Sequence, residues 1–259
     1  MKKSWFVIPL LMLPLSVVAQ TPEEKGLAIT VEADQRNTGW VDEISNIRMT
    51  LRNAHGQESV REIRNRILEV EGDGDKSMII FDNPHDVQGT AFLTYSHALK
   101  ADEQWMFLPA LKRVKRISSA NKSGPFMGSE FAYEDIASDE VEKYTYKFLR
   151  DEATGGRDAY VIERYPQYKH SGYKRQIVWM DQEIYRPLKI EFYDRKDALL
   201  KTLVYRGYNQ YLEQYWRVDQ MEMVNHQTGK STVLVWSDYQ YNNGFIDRDF
   251  DQRSLERVR

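Results

Sequence analysis

The chain has no cysteine. Disulfides and thiolate metal sites are thereby excluded, and an exported form of it has to be held together by burial alone. Histidine is scarce too: His55, His85, His97, His170 and His226 are scattered, with no HExxH or comparable metal spacing. Beyond the first 19 residues no run is long and apolar enough to read as a membrane-spanning helix. An excess of basic charge is missing as well. The 36 Lys and Arg face 39 Asp and Glu for a net charge of −3, which argues against nucleic acid as a partner.

Nucleotide and nucleophile motifs also fail. Gly229-Lys230-Ser231 looks like the end of a Walker A loop, but Val224 stands where its first glycine belongs and Ser231 opens a strand. Gly72-Asp73-Gly74-Asp75 puts carboxylates where phosphates would sit, so both stretches read as hairpin turns. Gly128-Ser129-Glu130 lacks the rest of a nucleophile elbow. The adjacent Glu134 and Asp135 suit either acid-base work or a solvated surface. No catalytic residue, metal ligand or cofactor is expected.

The features that are present begin with MKKSWFVIPLLMLPLSVVA, two lysines before an apolar stretch that closes on small residues. It reads as a Sec signal peptide over residues 1–19, cleaved after Ala19; Pro9 and Pro14 interrupt it and it is too short for an anchor. The expectation is a soluble periplasmic protein of one domain, residues 20–259. No lipid anchor is expected, because no cysteine follows the signal. Thr21, Pro22, Glu23 and Glu24 open a helix, with Gly39 as its stop and Leu27, Ala28 and Val31 as its apolar side.

From Trp40 onward the period is two. Ile47, Met49 and Leu51 alternate with Arg48, Thr50 and Arg52, and Leu188, Ile190 and Phe192 alternate with Lys189, Glu191 and Tyr193. Turn sequences such as AHGQ, NPHD and TGGRD punctuate these runs, and the 16 Tyr, 10 Phe and 6 Trp suit strands. The pattern predicts a mainly β chain, an antiparallel sheet of about ten strands.

One stretch, WMFLPALKRVKRI from Trp105 to Ile117, joins an apolar strand to a basic one. Trp105 and Phe107 share one sheet face, Pro109 ends the ladder for want of an N–H, PALK turns, and the chain returns with Arg113, Lys115 and Arg116. That basic strand is either a solvated edge protected by charge or a rim that meets anionic head groups or an acidic partner.

The segment WMDQEIYRPLKIEFYD (Trp179–Asp194) and its continuation KDALLKTL resemble the paired-strand signature of outer membrane lipoprotein-sorting proteins, the LolA-like periplasmic carriers. WMFLPALKRVKRI, GSEFAYEDI (Gly128–Ile136) and FIDRDFDQRSL resemble the larger subgroup associated with RND-type exporters. The resemblance implies a half-open antiparallel β-barrel whose concave apolar face is covered by helices. It further implies a non-enzymatic carrier of lipid, lipoprotein acyl chains or other hydrophobic cargo. An inner-membrane exporter and transient membrane contact are the implied partners; a transporter-docking module without cargo is the alternative. On this reading Trp105, Phe107, Ile177 and Trp179, paired by alternation, are either permanent core or ligand lining. Ser123 to Gly128 is either a lid hinge or a surface loop. Phe126, Met127 and Phe131 are further candidates for ligand lining, the first two as apolar contacts of that segment.

Overall fold

The computed structural model describes residues 20–257. The expected signal peptide, residues 1–19, lies outside the described residues. Helix α1 (Pro22–Gln35) opens on a capping box: Glu24 N donates to the Thr21 hydroxyl at 3.1 Å, and Thr21 N donates to the Glu24 carboxylate at 2.8 Å. Its buried residues are Gly26, Ile29 and Ala33, whereas the expected apolar residue Leu27 is 45% exposed. Close approach decides this face. A Cβ on Gly26 would stand 2.8 Å from Phe148 N, so only the glycine side lets the helix lie against the sheet backbone.

Thirteen strands follow: β1 (Asp42–Arg52), β2 (Glu58–Leu68), β3 (Lys76–Asn83), β4 (Ala91–Tyr95), β5 (Glu103–Leu108), β6 (Arg113–Ile117), β7 (Tyr144–Thr154), β8 (Arg157–Pro166), β9 (Tyr173–Asp181), β10 (Pro187–Asp194), β11 (Leu199–Tyr211), β12 (Tyr215–Asn225) and β13 (Ser231–Tyr241). They outnumber the ten expected; β4, at five residues, is too short to show a clear alternation. All belong to one antiparallel sheet, ordered β6-β5-β4-β3-β2-β1-β13-β12-β11-β10-β9-β8-β7. The first and last strands pair in its middle, with Ile47 opposite both Ile63 and Trp236. The sheet does not close, and β6 and β7 are its two edges.

Residues 118–143 connect those edges as a strap of short 3-10 turns. A single apolar cluster joins inward residues of strands from both halves of the sheet, such as Ile47, Phe92, Ile162 and Leu203, to Phe126 and Phe131 of the strap. The sheet therefore curls round the strap, and its inner face holds the main core.

The outer face carries two separate clusters. The C-terminal segment, ending in α2 (Gln252–Arg257), lays Phe250 and Leu255 over Leu68, Met78, Ile80, Leu93 and Trp105. Asp42 anchors this segment by accepting from Asn243 N at 2.7 Å and Phe245 N at 3.0 Å. Trp179 packs with Ala159 and Val161 in the other outer cluster.

Candidate functional site

The inner face is amphiphilic along its strands. Towards one end the row across β1, β2 and β3 is apolar, with Met49, Ile63 and Phe81; towards the other it becomes Glu43, Ser45, Asn65 and Ser77. The strap fills the apolar end. Phe126 is 1% exposed, with ring centroids 5.1 Å from Phe92 and 5.6 Å from Tyr133. What the strap leaves is a cavity of about 630 Å³, inside the range of small-molecule sites. Its apolar wall includes Ile47, Met49, Val178, Met180, Ile190 and Leu234, and its polar end includes Glu43, Asp75, Arg164, Arg186 and Arg217.

Two of these cations are paired. The Arg164 guanidinium donates to Gln176 at 2.7 Å and to Asp139 at 2.5 Å, and Asp139 with its neighbours holds its pKa high against the opposing effect of burial. Arg217 donates to Glu43 at 2.8 Å and to Asn37 at 2.9 Å. Burial above all, with Glu140 and Glu69 nearby, pushes the Asp75 carboxyl up to about 7, although Val70 N donates to it at 3.1 Å. A carboxyl whose folded-state pKa exceeds its unfolded value holds its proton better when folded, so it lowers stability as pH rises from about 4 to about 7. Asp75→Asn keeps an acceptor for Val70. It is expected to add about 1–3 kcal/mol above pH 7 and nothing near pH 4, as read by urea unfolding at both pH values. An equal gain at both would remove the ionisation account.

The strap is sewn down at many points. Arg61 donates to Met127 O at 2.5 Å, Lys201 donates to Glu130 O at 2.9 Å and Asn225 donates to the Glu130 carboxylate at 2.7 Å. Tyr168, Ser171 and Gly172 N all donate to Glu134, whose pKa burial and Asp135 raise. Tyr173 donates to Asp135 at 2.8 Å. Residues 123–128 thus form a pinned plug in which Phe126 N donates to Phe131 O at 2.7 Å, where a lid hinge was one expectation. The Glu134–Asp135 pair, considered above for acid-base chemistry, holds the strap to the strands.

Of the apolar residues singled out from the sequence, Phe126 and Phe131 stand in the cavity wall. Met127 is half-buried and packs on the inner cluster beside them. Trp105, Phe107, Ile177 and Trp179 lie on the opposite face. Trp105 sits under the C-terminal segment, and Trp179 donates to Glu152 at 3.0 Å with Lys189 Nζ 3.4 Å above its ring. These four pack on the outer face, because alternation pairs residues on a face without saying which face is concave. Of their inward neighbours, Val178 and Met180 stand in the cavity wall and Met106 packs on the inner cluster. Arg113, Lys115 and Arg116 are exposed on the edge strand β6.

Arg164, Arg186 and Arg217 were not anticipated. For Arg164 a signal existed: it shares its alternation parity with Tyr160 and Ile162, and a cation on an apolar parity marks a polar group turned inward. Among the described residues no group of three or more His, Asp and Glu could hold a metal ion. No helix among them is long and apolar enough to cross a membrane.

A sequence family with the description "Uncharacterized protein" matches residues 73–257. No curated protein matches significantly. An outer membrane lipoprotein-sorting protein domain from Vibrio parahaemolyticus is 57% identical, with a TM-score of 0.89 over 90% of this chain and 99% of that one. A DUF1329 family protein from Desulfovibrio piger is 32% identical, with a TM-score of 0.86 over 91% of this chain and 99% of that one. A LolA superfamily protein from Nitrosomonas europaea shares the fold at 23% identity, with a TM-score of 0.71 over 88% and 98%.

Proposed function

Because this chain belongs to the outer membrane lipoprotein-sorting protein family, together with its DUF1329 relatives, we propose that it is a non-enzymatic periplasmic carrier. Its cargo is a lipid, the acyl chains of a lipoprotein or another hydrophobic molecule. In this reading residues 1–19 are the removed signal and 20–259 the carrier domain. The observation that carries it is the cavity of about 630 Å³ bounded by the curled sheet, the strap and α1. Each methylene taken from water into such a wall contributes ~0.8 kcal/mol, so shielding an alkyl chain supplies the driving force and the polar end sets its orientation. Phe126 and Phe131 touch the cargo. The exposed Arg113, Lys115 and Arg116 face anionic head groups or an inner-membrane exporter of the RND type at delivery.

The test is binding of a fluorescent fatty-acid probe to delipidated protein, together with lipid extraction from protein purified from its native periplasm. Leu234→Trp, which narrows the cavity from the β13 wall, is expected to weaken the probe about tenfold or more while circular dichroism stays unchanged. Probe binding that ignores this substitution, or an extract and a probe assay that are both blank, would overturn the carrier reading. In the second case, cross-links from Arg113 or Arg116 to a membrane protein would favour the alternative of a docking module, for which the unpaired edge strand β6 speaks.

A further inference from the structure

The polar end of the cavity holds two groups that the fold itself does not use. Among the described residues the Arg186 guanidinium makes no hydrogen bond and no ion pair, and the Tyr205 hydroxyl makes no hydrogen bond. Both belong to the cavity wall. Burial holds the Arg186 guanidinium below its ordinary pKa, with the like charge of Arg217 adding to the effect. Burial raises Tyr205, so its hydroxyl stays a donor. An unpaired guanidinium kept in a half-buried place is costly unless something else meets it.

Its position is built. The turn between β9 and β10 is fixed by Asp181, whose carboxylate accepts from Glu183 N at 2.8 Å and Ile184 N at 2.9 Å, and whose N–H donates to Arg186 O at 2.9 Å. Tyr185 takes the left-handed conformation, φ 52°, and Pro187 restricts Arg186 to extended backbone. Arg186 also lines an outer pocket of about 290 Å³, which shares Asn37 and Trp216 with the large cavity. It therefore stands where the two spaces adjoin, with the apolar wall of Val178 and Ile190 on the inner side.

We propose that the cavity takes an amphiphile with an anionic headgroup, a carboxylate or a phosphate, held by the Arg186 guanidinium and the Tyr205 hydroxyl while its alkyl chain lies along the apolar wall. This deepens the carrier reading and rests on it. A planar guanidinium matches either oxyanion in a bidentate fork, and such charge-assisted bonds strengthen away from water. The other cations of the polar end are occupied, Arg164 by Asp139 and Arg217 by Glu43. The acid that faces Arg186 is Asp34, which sits on the exposed last turn of α1 and makes no ion pair with it.

The experiment titrates delipidated full chain with lauric acid, lauryl phosphate, lauryl alcohol and laurylamine, reading displacement of a fluorescent probe. The acid and the phosphate are expected to bind about tenfold or more tighter than the alcohol, and the amine no better than the alcohol. Arg186→Gln should bring the acid to the level of the alcohol and leave the alcohol where it was. Tyr205→Phe should weaken the acid about threefold. Inorganic phosphate alone should not displace the probe. Wild-type protein that treats acid and alcohol alike, or prefers the amine, overturns the headgroup assignment and leaves the carrier reading standing. Displacement by inorganic phosphate alone overturns it in favour of a free-anion site. If none of the four binds, the carrier reading falls and this assignment with it. The wild-type comparison decides the matter even if a variant does not fold.

Discussion

Asp102→Ala is expected to lower folding stability by about 3–5 kcal/mol, the range for uncovering a buried charge. The Asp102 carboxylate is 4% exposed and takes Lys122 Nζ at 3.0 Å and Lys143 Nζ at 3.1 Å, ammonium groups on side chains 6% and 8% exposed. Lys122 stands near one end of the strap and Lys143 at the other, so one carboxylate ties both ends to the start of β5. Removing it leaves two buried cations facing each other. Lys122→Met is expected to cost less, because Asp102 then still neutralises Lys143.

Burial alone would raise the pKa of Asp102, but Lys143 and Lys122 together bring it below the ordinary value of an aspartate. A depressed folded-state pKa gives stability that is complete above the unfolded value and lost as pH falls through the folded one. The wild type should therefore lose stability on acidification below pH ~4 in a way the Asp102→Ala protein does not. Urea unfolding from pH 3 to 7 measures both effects; a loss under ~1 kcal/mol at pH 7 would show the triad to be dispensable.

Phe126→Ala is the second large effect, with an expected loss of about 3–5 kcal/mol. The ring is enclosed by Phe81, Phe92 and Tyr133 at centroid distances of 6.0, 5.1 and 5.6 Å, and it joins the strap to the inner core. A hinge that swings freely over a mouth would tolerate this truncation, whereas a plug would not. The size of the loss in urea unfolding therefore decides between them, and a value below ~1 kcal/mol would restore the hinge. Because Phe126 is also cavity wall, the truncated protein should accept a bulkier fatty-acid probe than the wild type.

Much of the local structure was legible beforehand because it depends on neighbours in sequence. Thr21 caps α1 as its side-chain chemistry requires. Pro109 ends β5, and Lys112, at φ 45°, closes the PALK turn before β6 starts at Arg113. The burial of Trp105 and Trp179 was legible too, yet their surroundings were not. The convex face of this sheet is itself covered, by the C-terminal segment at Trp105 and by the side chains around Trp179, so hydrophobicity could not tell one face from the other. Arg186 was illegible for a related reason: a cation beside a proline in a turn ordinarily reads as solvated surface.

By itself the sequence determined the class of the chain, its strand-and-turn rhythm, the absence of thiol chemistry and the family it resembles. Each of these follows from residue type or from contacts only a few positions apart. Tertiary structure alone decided which face turns inward, that the strap between the two open edges packs into that face, and that Arg186 and Tyr205 line the same cavity. Those outcomes depend on the curl of a thirteen-stranded sheet, a collective property of pairings as far apart as β1 with β13, and no period of two can encode its direction.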